Sequence, residues 1–441
     1  MIGAEAAMPN LVLIMSDEAR KDVLYHDKYP FVRTPNIDAL RSEALTFHNC
    51  FANYPVCVPS RASLITGRYP HQIGVLHNTH RLPAGERDLG HHLSAHGYDC
   101  VALGKTHATN RGFRSVTYDK VATMGFENHG YLEDAARITG VFEGPAEEYC
   151  DFVACRQFDD YLRGRAAGAP FAAFVGIYAP HPPLYPPREY AGLYSQDRIM
   201  LPPRPSARDN AARPSIQGVP RRRWDAYPDA TRRQVIAAYL ALITLLDDCV
   251  GRILASLRAN DTLDDTLVVL VSDHGDQLGE HGMAGKMGNL YEASIRVPLV
   301  IRLPGAAHAG ADRQQLVEMV DLFPTICDLL GVPHPDGMQA PAGRSLVPVV
   351  TDPGAAGIVH RRVVHAMLQE GQMARTESLK LNFYADDRSE LYDLADDPDE
   401  LVNRFDDPAY RDRQHELLAE ITRFLIRYPR VADRGRNEYF G

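Results

Sequence analysis

The chain has 441 residues, of which 45% are hydrophobic and 24% are charged, as in ordinary soluble globular proteins. Its formal net charge of −10 argues against nonspecific binding to nucleic acid or to anionic membranes. Seven scattered cysteines without a Cys-x-x-Cys pair argue against a disulfide framework or a structural zinc site. Because no secretory signal or transmembrane span is recognisable, we expect a cytoplasmic protein with reduced thiols.

Short apolar runs alternate with helical patterns through the first 340 residues. Residues 11–15 predict a buried strand that leads into Asp17 and Glu18. Further strands are predicted at 100–103, 171–178, 266–271 and 298–303, and helices at 34–44, 89–96 and 231–257. Apolar strands that alternate with helices favour an α/β domain with a mostly parallel sheet. Ligands of such sheets bind beyond the carboxyl ends of the strands, which is where the polar clusters of this chain fall.

The composition changes after about residue 340. Short strands are predicted at 363–367, 380–384 and 390–394, and an amphipathic helix at 407–427. We therefore predict a large α/β catalytic domain at 1–340. A small carboxyl-terminal α+β subdomain, with an antiparallel sheet and a terminal helix, is predicted at 341–441.

Two segments carry less regular patterns. Residues 182–223 are rich in Pro, Arg and Ser, and we predict a long irregular loop over the site that shapes substrate choice. The basic run 221–223 is interpreted as solvated charge, with binding of a polyanionic substrate as the less favoured alternative. Residues 431–441 are predicted to be either a free tail or an arm across a homo-oligomer.

The most informative run is Cys-Val-Pro-Ser-Arg-Ala-Ser-Leu-Ile-Thr-Gly at 57–67. Pro59 suits the first turn of a helix and Gly67 suits its end. Cys57 would then lie at a helix N-terminus, where free N–H groups and the helix dipole favour an anion. Taken alone, such a cysteine is more often buried and inert, and Arg61 would be a surface residue.

This run resembles the signature of the type I sulfatases of the alkaline phosphatase-like superfamily, in which the cysteine of Cys-x-Pro-x-Arg is oxidised to formylglycine. Other parts of the family pattern are matched in order by 9–18, 104–107, 180–183, 273–275 and Lys286. The resemblance implies an alkaline-phosphatase-like α/β fold with a mostly parallel central sheet. It also implies a hydrolase that cleaves sulfate monoesters.

The resemblance also implies a set of site residues. Metal ligands for one divalent cation would be Asp17, Glu18, Cys57, Asp273 and His274. Catalytic residues would be Cys57, Arg61, Lys105, His107, His181 and Lys286. Substrate-binding residues would be Lys105, His181, Lys286 and Asn78. His281 lies in the same loop as Lys286, and we expect no chemical role for it.

In the implied mechanism, hydrated formylglycine attacks sulfur with help from the cation. His181 protonates the leaving alcohol, and His107 takes the proton that allows sulfate to leave. A formylglycine-generating enzyme would be needed as a maturation partner. The family implies calcium as the cation. Glu18 and His274 depart from the commonest family pattern, so manganese and magnesium are alternatives.

Other functions remain open at this point. The nearest rival is a phosphonate monoester or phosphodiester hydrolase of the same superfamily. A degenerate binding protein would have lost several site residues, and the principal ones are present. The alcohol part of the substrate, whether aryl, alkyl, sugar or sulfamate, is not indicated by the sequence.

Overall fold

A computed structural model describes residues 8–107, 112–116, 138–166, 168–206, 208–209, 213–352 and 354–430. Within these ranges the chain forms a nine-stranded sheet between two layers of helices and a second sheet of four strands. Residues 431–441, with the predicted tail or arm, lie outside the described residues.

The large sheet has its strands in an order that requires several crossovers. In chain order they are β1 (Asn10–Asp17), β2 (Leu45–Phe51), β3 (Asp99–Gly104), β4 (Arg114–Val116), β5 (Phe171–Pro180), β6 (Thr266–Ser272), β7 (Arg296–Arg302), β8 (Ala311–Arg313) and β9 (Val317–Glu318). Their spatial order is β4-β3-β5-β1-β6-β7-β2-β8, with β9 beside β2. Among the described strands of this large sheet, only β7 runs antiparallel to its neighbours, which confirms the predicted mostly parallel sheet.

Helices cover both faces of this sheet. In chain order the α-helices of the described residues are α1 (Lys21–Leu24), α2 (Pro35–Ser42), α3 (Cys57–Thr66), α4 (Pro70–Ile73), α5 (Leu89–Ala95), α6 (Cys150–Gly164), α7 (Gly218–Ala226), α8 (Asp229–Ala259), α9 (Glu292–Ile295), α10 (Leu322–Leu329), α11 (Val347–Thr351) and α12 (Arg411–Arg427), the last of which belongs to the smaller sheet. No helix in the described part of the chain combines the length and the apolar character needed to cross a membrane.

The central strand β1 shows why its sequence is continuously apolar. Val12 and Ile14 pack on the side of α6 and α8, whereas Leu11 and Leu13 pack on the side of α5 and α10. Successive side chains of a strand point to opposite faces, so a strand covered on both sides needs apolar residues at every position. The same burial on both faces holds the carboxyl end of β1 rigidly in the sheet.

The four-stranded sheet is an antiparallel meander near the carboxyl terminus. Its strands are β10 (Val364–Met367), β11 (Gly371–Arg375), β12 (Leu379–Tyr384) and β13 (Glu390–Asp393). Helix α12 packs on this sheet through Leu417 and Ile421. The division at residue 340 stays a prediction.

The prediction of irregular structure throughout 182–223 was wrong at its carboxyl end. Helix α7 begins at Gly218, so the basic run 221–223 is helical. Trp224 is buried and anchors this helix to the core of the large domain. A single large aromatic residue is enough to fix a short helix whose other side chains are mostly polar.

Candidate active site

The predicted acidic pairs meet at the carboxyl edge of the large sheet. Asp17 ends β1, and Asp273 follows β6, which is paired beside β1 with Ser16 opposite Ser272. Lys105 follows β3 at the same edge, where β3 lies next to β5. Parallel strands end at a common edge, so the topology gathers residues that are distant in sequence.

Helix α3 begins at Cys57, as its sequence predicts. Val56 is extended, Pro59 lies in the first turn, and Gly67 ends the helix with a left-handed φ of 65°. Every residue of the helix is buried. The exposed Asn78 accepts a hydrogen bond from the Val58 N–H at 3.0 Å, so its side chain caps a free donor beside Cys57.

The thiol of Cys57 is surrounded by charged groups. Its Sγ lies 3.6 Å from Asp17 Oδ1, and 3.3 Å from both His274 Nε2 and Lys286 Nζ. Burial, followed by the charges of Asp17 and Asp273, raises the pKa of the Cys57 thiol well above its ordinary value. The unmodified thiol is therefore not a ready nucleophile at neutral pH.

Arg61 is fully buried and joins the two acidic strand ends. Its Nε donates to Asp273 Oδ2 at 2.8 Å, and a terminal nitrogen donates to Asp17 Oδ2 at 2.9 Å. The other terminal nitrogen donates to the carbonyl of Lys105 at 2.7 Å. One guanidinium thus fixes residues from β1, β3 and β6, which is a role for its planar fork of donors.

Asp17 and Asp273 carry opposite pKa shifts. Burial acts to raise the pKa of Asp17, yet Lys105, His181 and Arg61 hold it well below its usual value. Burial and the neighbouring Asp17 raise the pKa of Asp273 to about 6. Two carboxylates at one site disfavour double ionisation unless cations compensate.

Two lysines complete the charge balance. Lys105 Nζ lies 2.8 Å from Asp17 Oδ2 and above the ring of Tyr178, 4.2 Å from its centroid. Lys286 Nζ forms an ion pair with Glu18, and burial lowers the pKa of Lys286 to about 8. With Arg61, these lysines match the three carboxylates of the cluster in number, so an added dication would leave a surplus of positive charge for an anionic substrate.

The three histidines differ in their partners. His274 Nδ1 lies 2.8 Å from the Gly275 carbonyl, to which it can donate, leaving the lone pair of Nε2 towards Cys57. His181 Nε2 lies 3.5 Å from Glu18 Oε1, and burial together with Lys105 lowers the pKa of His181 to about 3. Burial and Lys105 also lower the pKa of His107, whose buried Nδ1 has no hydrogen-bond partner among the described residues.

The predicted metal ligands divide into two overlapping groups. Ligand atoms of Asp17, Cys57, Asp273 and His274 lie within 4.8 Å of one another, and so do those of Asp17, Glu18 and His181. Glu18 has a left-handed φ of 69°, and its buried Oε2 has no hydrogen-bond partner within the described ranges. These oxygen and nitrogen donors fit a hard or borderline divalent cation, with Glu18 beside rather than inside the tighter group.

Comparison with known proteins decides the family. The sulfatase family profile matches residues 9–332, which include every site residue described above. The chain belongs to the sulfatase family. A second profile, that of the carboxyl-terminal region of N-sulphoglucosamine sulphohydrolase, matches residues 279–427. The protein is therefore a hydrolase of this family, with the α/β architecture that its motifs predicted.

Proteins similar to this sulfatase family member include sulfatases and a phosphonate monoester hydrolase. The multifunctional alkaline phosphatase superfamily protein PehA of Trinickia caryophylli is 33% identical, with 78% of this chain and 77% of PehA covered. Choline-sulfatase of Rhizobium meliloti is 31% identical over 377 residues, with 78% and 71% covered. Among solved structures, the phosphonate monoester hydrolase from Silicibacter pomeroyi superposes with a TM-score of 0.83 and 25% identity over 96% of each chain.

Sequence reasoning missed residues that support the sulfatase site. Asn289 is buried, and its amide donates to the Lys286 carbonyl at 3.1 Å while its Oδ1 accepts from Gln277 at 3.1 Å. Tyr178 was also missed, although it is the aromatic residue three positions before His181. His281 stacks on Tyr291 at 3.7 Å between ring centroids, and the expectation that it has no chemical role stays a prediction.

Proposed function

We propose that this protein hydrolyses sulfate monoesters to an alcohol and inorganic sulfate, with a formylglycine made from Cys57 and one divalent cation. The observation that carries the proposal is the position of Cys57 at the first residue of α3, in contact with Asp17, His274 and Lys286. A structural cysteine would be expected among apolar neighbours. An aldehyde at this position would supply, as its hydrate, the nucleophilic oxygen that the buried thiol does not provide.

The residues that would hold the cation are Asp17, Asp273 and His274, with the modified residue 57 and the nearby Glu18. The cation would supply Lewis-acid activation of an oxygen and neutralise charge on the sulfuryl group. Glu18 Oε2, which has no hydrogen-bond partner among the residues that the structure describes, is an available oxygen donor for the cation. Calcium, manganese and magnesium all fit the oxygen donors, and the His274 nitrogen favours manganese over calcium.

The basic side chains would bind and orient the ester. Lys105 contacts Asp17 and Lys286 contacts Cys57, so both ammonium groups lie at the Cys57 cluster. Fixed positive groups in a buried site stabilise charge that develops on the sulfuryl oxygens. Arg61 acts by holding Asp17 and Asp273 in place, since its donors are used by them and by the Lys105 carbonyl.

Proton transfer would fall to two histidines. His181 is neutral in the free enzyme, because burial and Lys105 lower its pKa to about 3. An anionic ester bound near Lys105 offsets that positive charge and raises the proton affinity of His181, which can then protonate the leaving alcohol. His107, neutral and with an Nδ1 that has no partner in the described part of the chain, can accept the proton in the step that releases sulfate.

A second candidate is hydrolysis of phosphonate monoesters. It is supported by the similarity to the Silicibacter pomeroyi hydrolase across 96% of both chains and by the relationship to the multifunctional protein PehA. Sulfate monoesters and phosphonate monoesters both present a tetrahedral centre with one negative charge. The electrostatics of Lys105, Lys286 and a dication would serve either.

The test is hydrolysis of an aryl sulfate and an aryl phosphonate monoester side by side. The enzyme would be produced together with a formylglycine-generating enzyme, and the mass of the peptide containing residue 57 would establish the modification. We expect faster sulfate turnover, and a loss of at least about 10⁴-fold in Cys57→Ala, because removal of a nucleophile costs rate factors of this order. Cys327→Ala, an equally buried cysteine, is the matched control.

Each outcome has a definite meaning. Faster phosphonate turnover that also depends on Cys57 would replace the first proposal by the second. Turnover that survives in Cys57→Ala would refute a formylglycine mechanism for either substrate. A modified residue 57 without turnover of either ester would refute both candidate functions.

A further inference from the structure

A basic cavity lies beyond the carboxyl end of helix α3. It has a volume of about 510 Å³ and opens between Tyr69, the segment before β10 and helix α12. Its wall includes five arginines and one carboxylate, that of Glu420. Helix α3 has ten residues and is therefore about 15 Å long, so this cavity is separated from Cys57 by at least a helix length.

Most of the positive charge around the cavity is exposed and not neutralised. Arg361 and Arg423 are the exceptions: Arg361 is buried and paired with Asp321, and Arg423 pairs with Glu420 in the same wall. Arg362 and Arg427 are exposed, and within the described part of the chain neither forms an ion pair. A concentrated positive potential on a protein of net charge −10 contrasts with the rest of the molecule.

A buried histidine at the same cavity is incompletely hydrogen-bonded. His365 lines the cavity, is 8% exposed, and stacks on Phe424 with 4.3 Å between ring centroids. Among the described residues its buried Nδ1 has no hydrogen-bond partner of normal length, although the Met373 carbonyl interacts with the ring. The ring is therefore a further polar group in the cavity wall, beside arginines that have no carboxylate partner.

We propose that this cavity binds a small molecule that carries two or more phosphate or sulfate groups. Arginine forks bind tetrahedral oxyanions through paired, charge-assisted hydrogen bonds. The volume lies within the range of small-molecule sites, and one inorganic anion would fill only a small part of it. The inference goes beyond the hydrolytic function, because the site shares no residue with the Cys57 cluster.

The experiment is calorimetric titration of the full-length protein with pyrophosphate and, separately, with inorganic sulfate. We compare wild type, Arg362→Ser/Arg427→Ser, and the control Arg163→Ser/Arg258→Ser, which removes two exposed arginines from α6 and α8. The first double variant should lose at least tenfold in affinity for pyrophosphate, and the control should not. Tighter binding of pyrophosphate than of sulfate is expected for a site with several separated arginines.

Hydrolysis assays separate this site from the catalytic one. The Arg362→Ser/Arg427→Ser variant should keep the kcat and KM of wild type for the best ester substrate. Equal pyrophosphate affinity in all three proteins would overturn the proposal, as would an equal loss in both double variants. The titration works whether or not residue 57 is modified, so failure of the proposed hydrolytic function would leave its result unaffected.

Discussion

The buried arginines Arg61 and Arg361 each bridge a pair of carboxylates, and their surroundings differ. Arg61 joins Asp17 and Asp273 at 2.9 and 2.8 Å. Arg361 donates through Nε to Asp321 at 2.8 Å and lies 3.5 Å from Glu318. Both clusters adjoin helix α3, the first at its amino end and the second near its carboxyl end.

The Arg361 cluster is closed. Glu318 accepts hydrogen bonds from the Tyr69 hydroxyl and from the His365 N–H, and Asp321 accepts from the Arg344 N–H at 2.7 Å. A buried ion pair needs such additional hydrogen bonds to offset its desolvation. Its carboxylates therefore have no capacity left for a ligand, and the cluster serves to join the small sheet to the large domain.

The Arg61 cluster is open. Among the described residues Glu18 Oε2 and His107 Nδ1 are buried without partners, and Cys57 lies between charged groups. The same residue types thus produce a structural joint where both carboxylates are satisfied, and a candidate catalytic centre where several groups are not. Unsatisfied buried groups cost stability, which is tolerated where a cofactor or substrate satisfies them.

The largest effect on stability should separate the two arginines. Arg361→Met leaves Asp321 and Glu318 without their cation and should cost about 3–5 kcal/mol of unfolding free energy. Arg61→Met should cost less once a divalent cation is added, because the cation and Lys105 can neutralise Asp17 and Asp273. Urea unfolding with and without millimolar Mn²⁺ or Ca²⁺ measures both. Ion rescue of Arg361→Met would contradict the distinction between the clusters.

Cation binding should stabilise the protein through the open cluster alone. At a free ion concentration one hundred times Kd, the gain is about 2.7 kcal/mol, seen as a higher Tm. His274→Ala should lose most of that gain, because its Nε2 belongs to the tighter ligand group. His365→Ala, a similarly buried histidine beside the closed cluster, should keep it. If both variants respond to the ion like wild type, the ligand assignment is wrong.

The dependence of stability on pH should have opposite signs in the two clusters when measured in chelator. For Asp321, burial acts to raise the pKa but Arg361 holds it well below the unfolded value of about 3.9. Its contribution is therefore present above about pH 4 and is lost as the pH falls below that value. The stability gap between wild type and Asp321→Asn should shrink from pH 5 to pH 3.

For Asp273 the sign is reversed. Its folded pKa of about 6 lies above the unfolded value, so the folded state favours the protonated carboxyl. That contribution is present below about pH 4 and is lost as the pH rises through 6. Asp273→Asn should therefore gain stability relative to wild type between pH 4 and pH 7. Parallel pH profiles for the two Asn variants would show that the clusters do not differ electrostatically.

The sequence predicted the open cluster better than the closed one, and for a physical reason. Asp17 and Asp273 directly follow continuous apolar strands, and parallel strands of one sheet end at one edge. Glu18 was harder, because a left-handed turn directs it to Lys286 and His181 while its neighbour Asp17 faces Cys57. Two adjacent residues at a strand end can therefore face different partners within one site.

Other elements were missed because their patterns are mixed. Strand β2 contains His48 and Asn49, and its register with β7 shifts between Phe47 and Cys50, so neither alternation nor a continuous apolar run is visible. The closed cluster could not be predicted either: Asp321 stands in the mostly apolar run 319–326, and no local pattern pairs it with Arg361, which lies 40 residues later. Their pairing depends on the packing of the small sheet, which local patterns do not encode.

The smallest expected effect tests how Lys286 is positioned. Asn289→Asp keeps the oxygen that accepts from Gln277 but replaces the amide that donates to the Lys286 carbonyl. We expect kcat to fall about tenfold with little change in KM, as for other outer partners of catalytic groups. Asn53→Asp is the matched control, because buried Asn53 donates to the His365 carbonyl at 2.9 Å and accepts from the Val320 N–H at 3.1 Å beside the closed cluster. That control should lose stability and keep its kcat. Equal kcat values for the two variants would mean that the Asn289 amide contributes to folding alone.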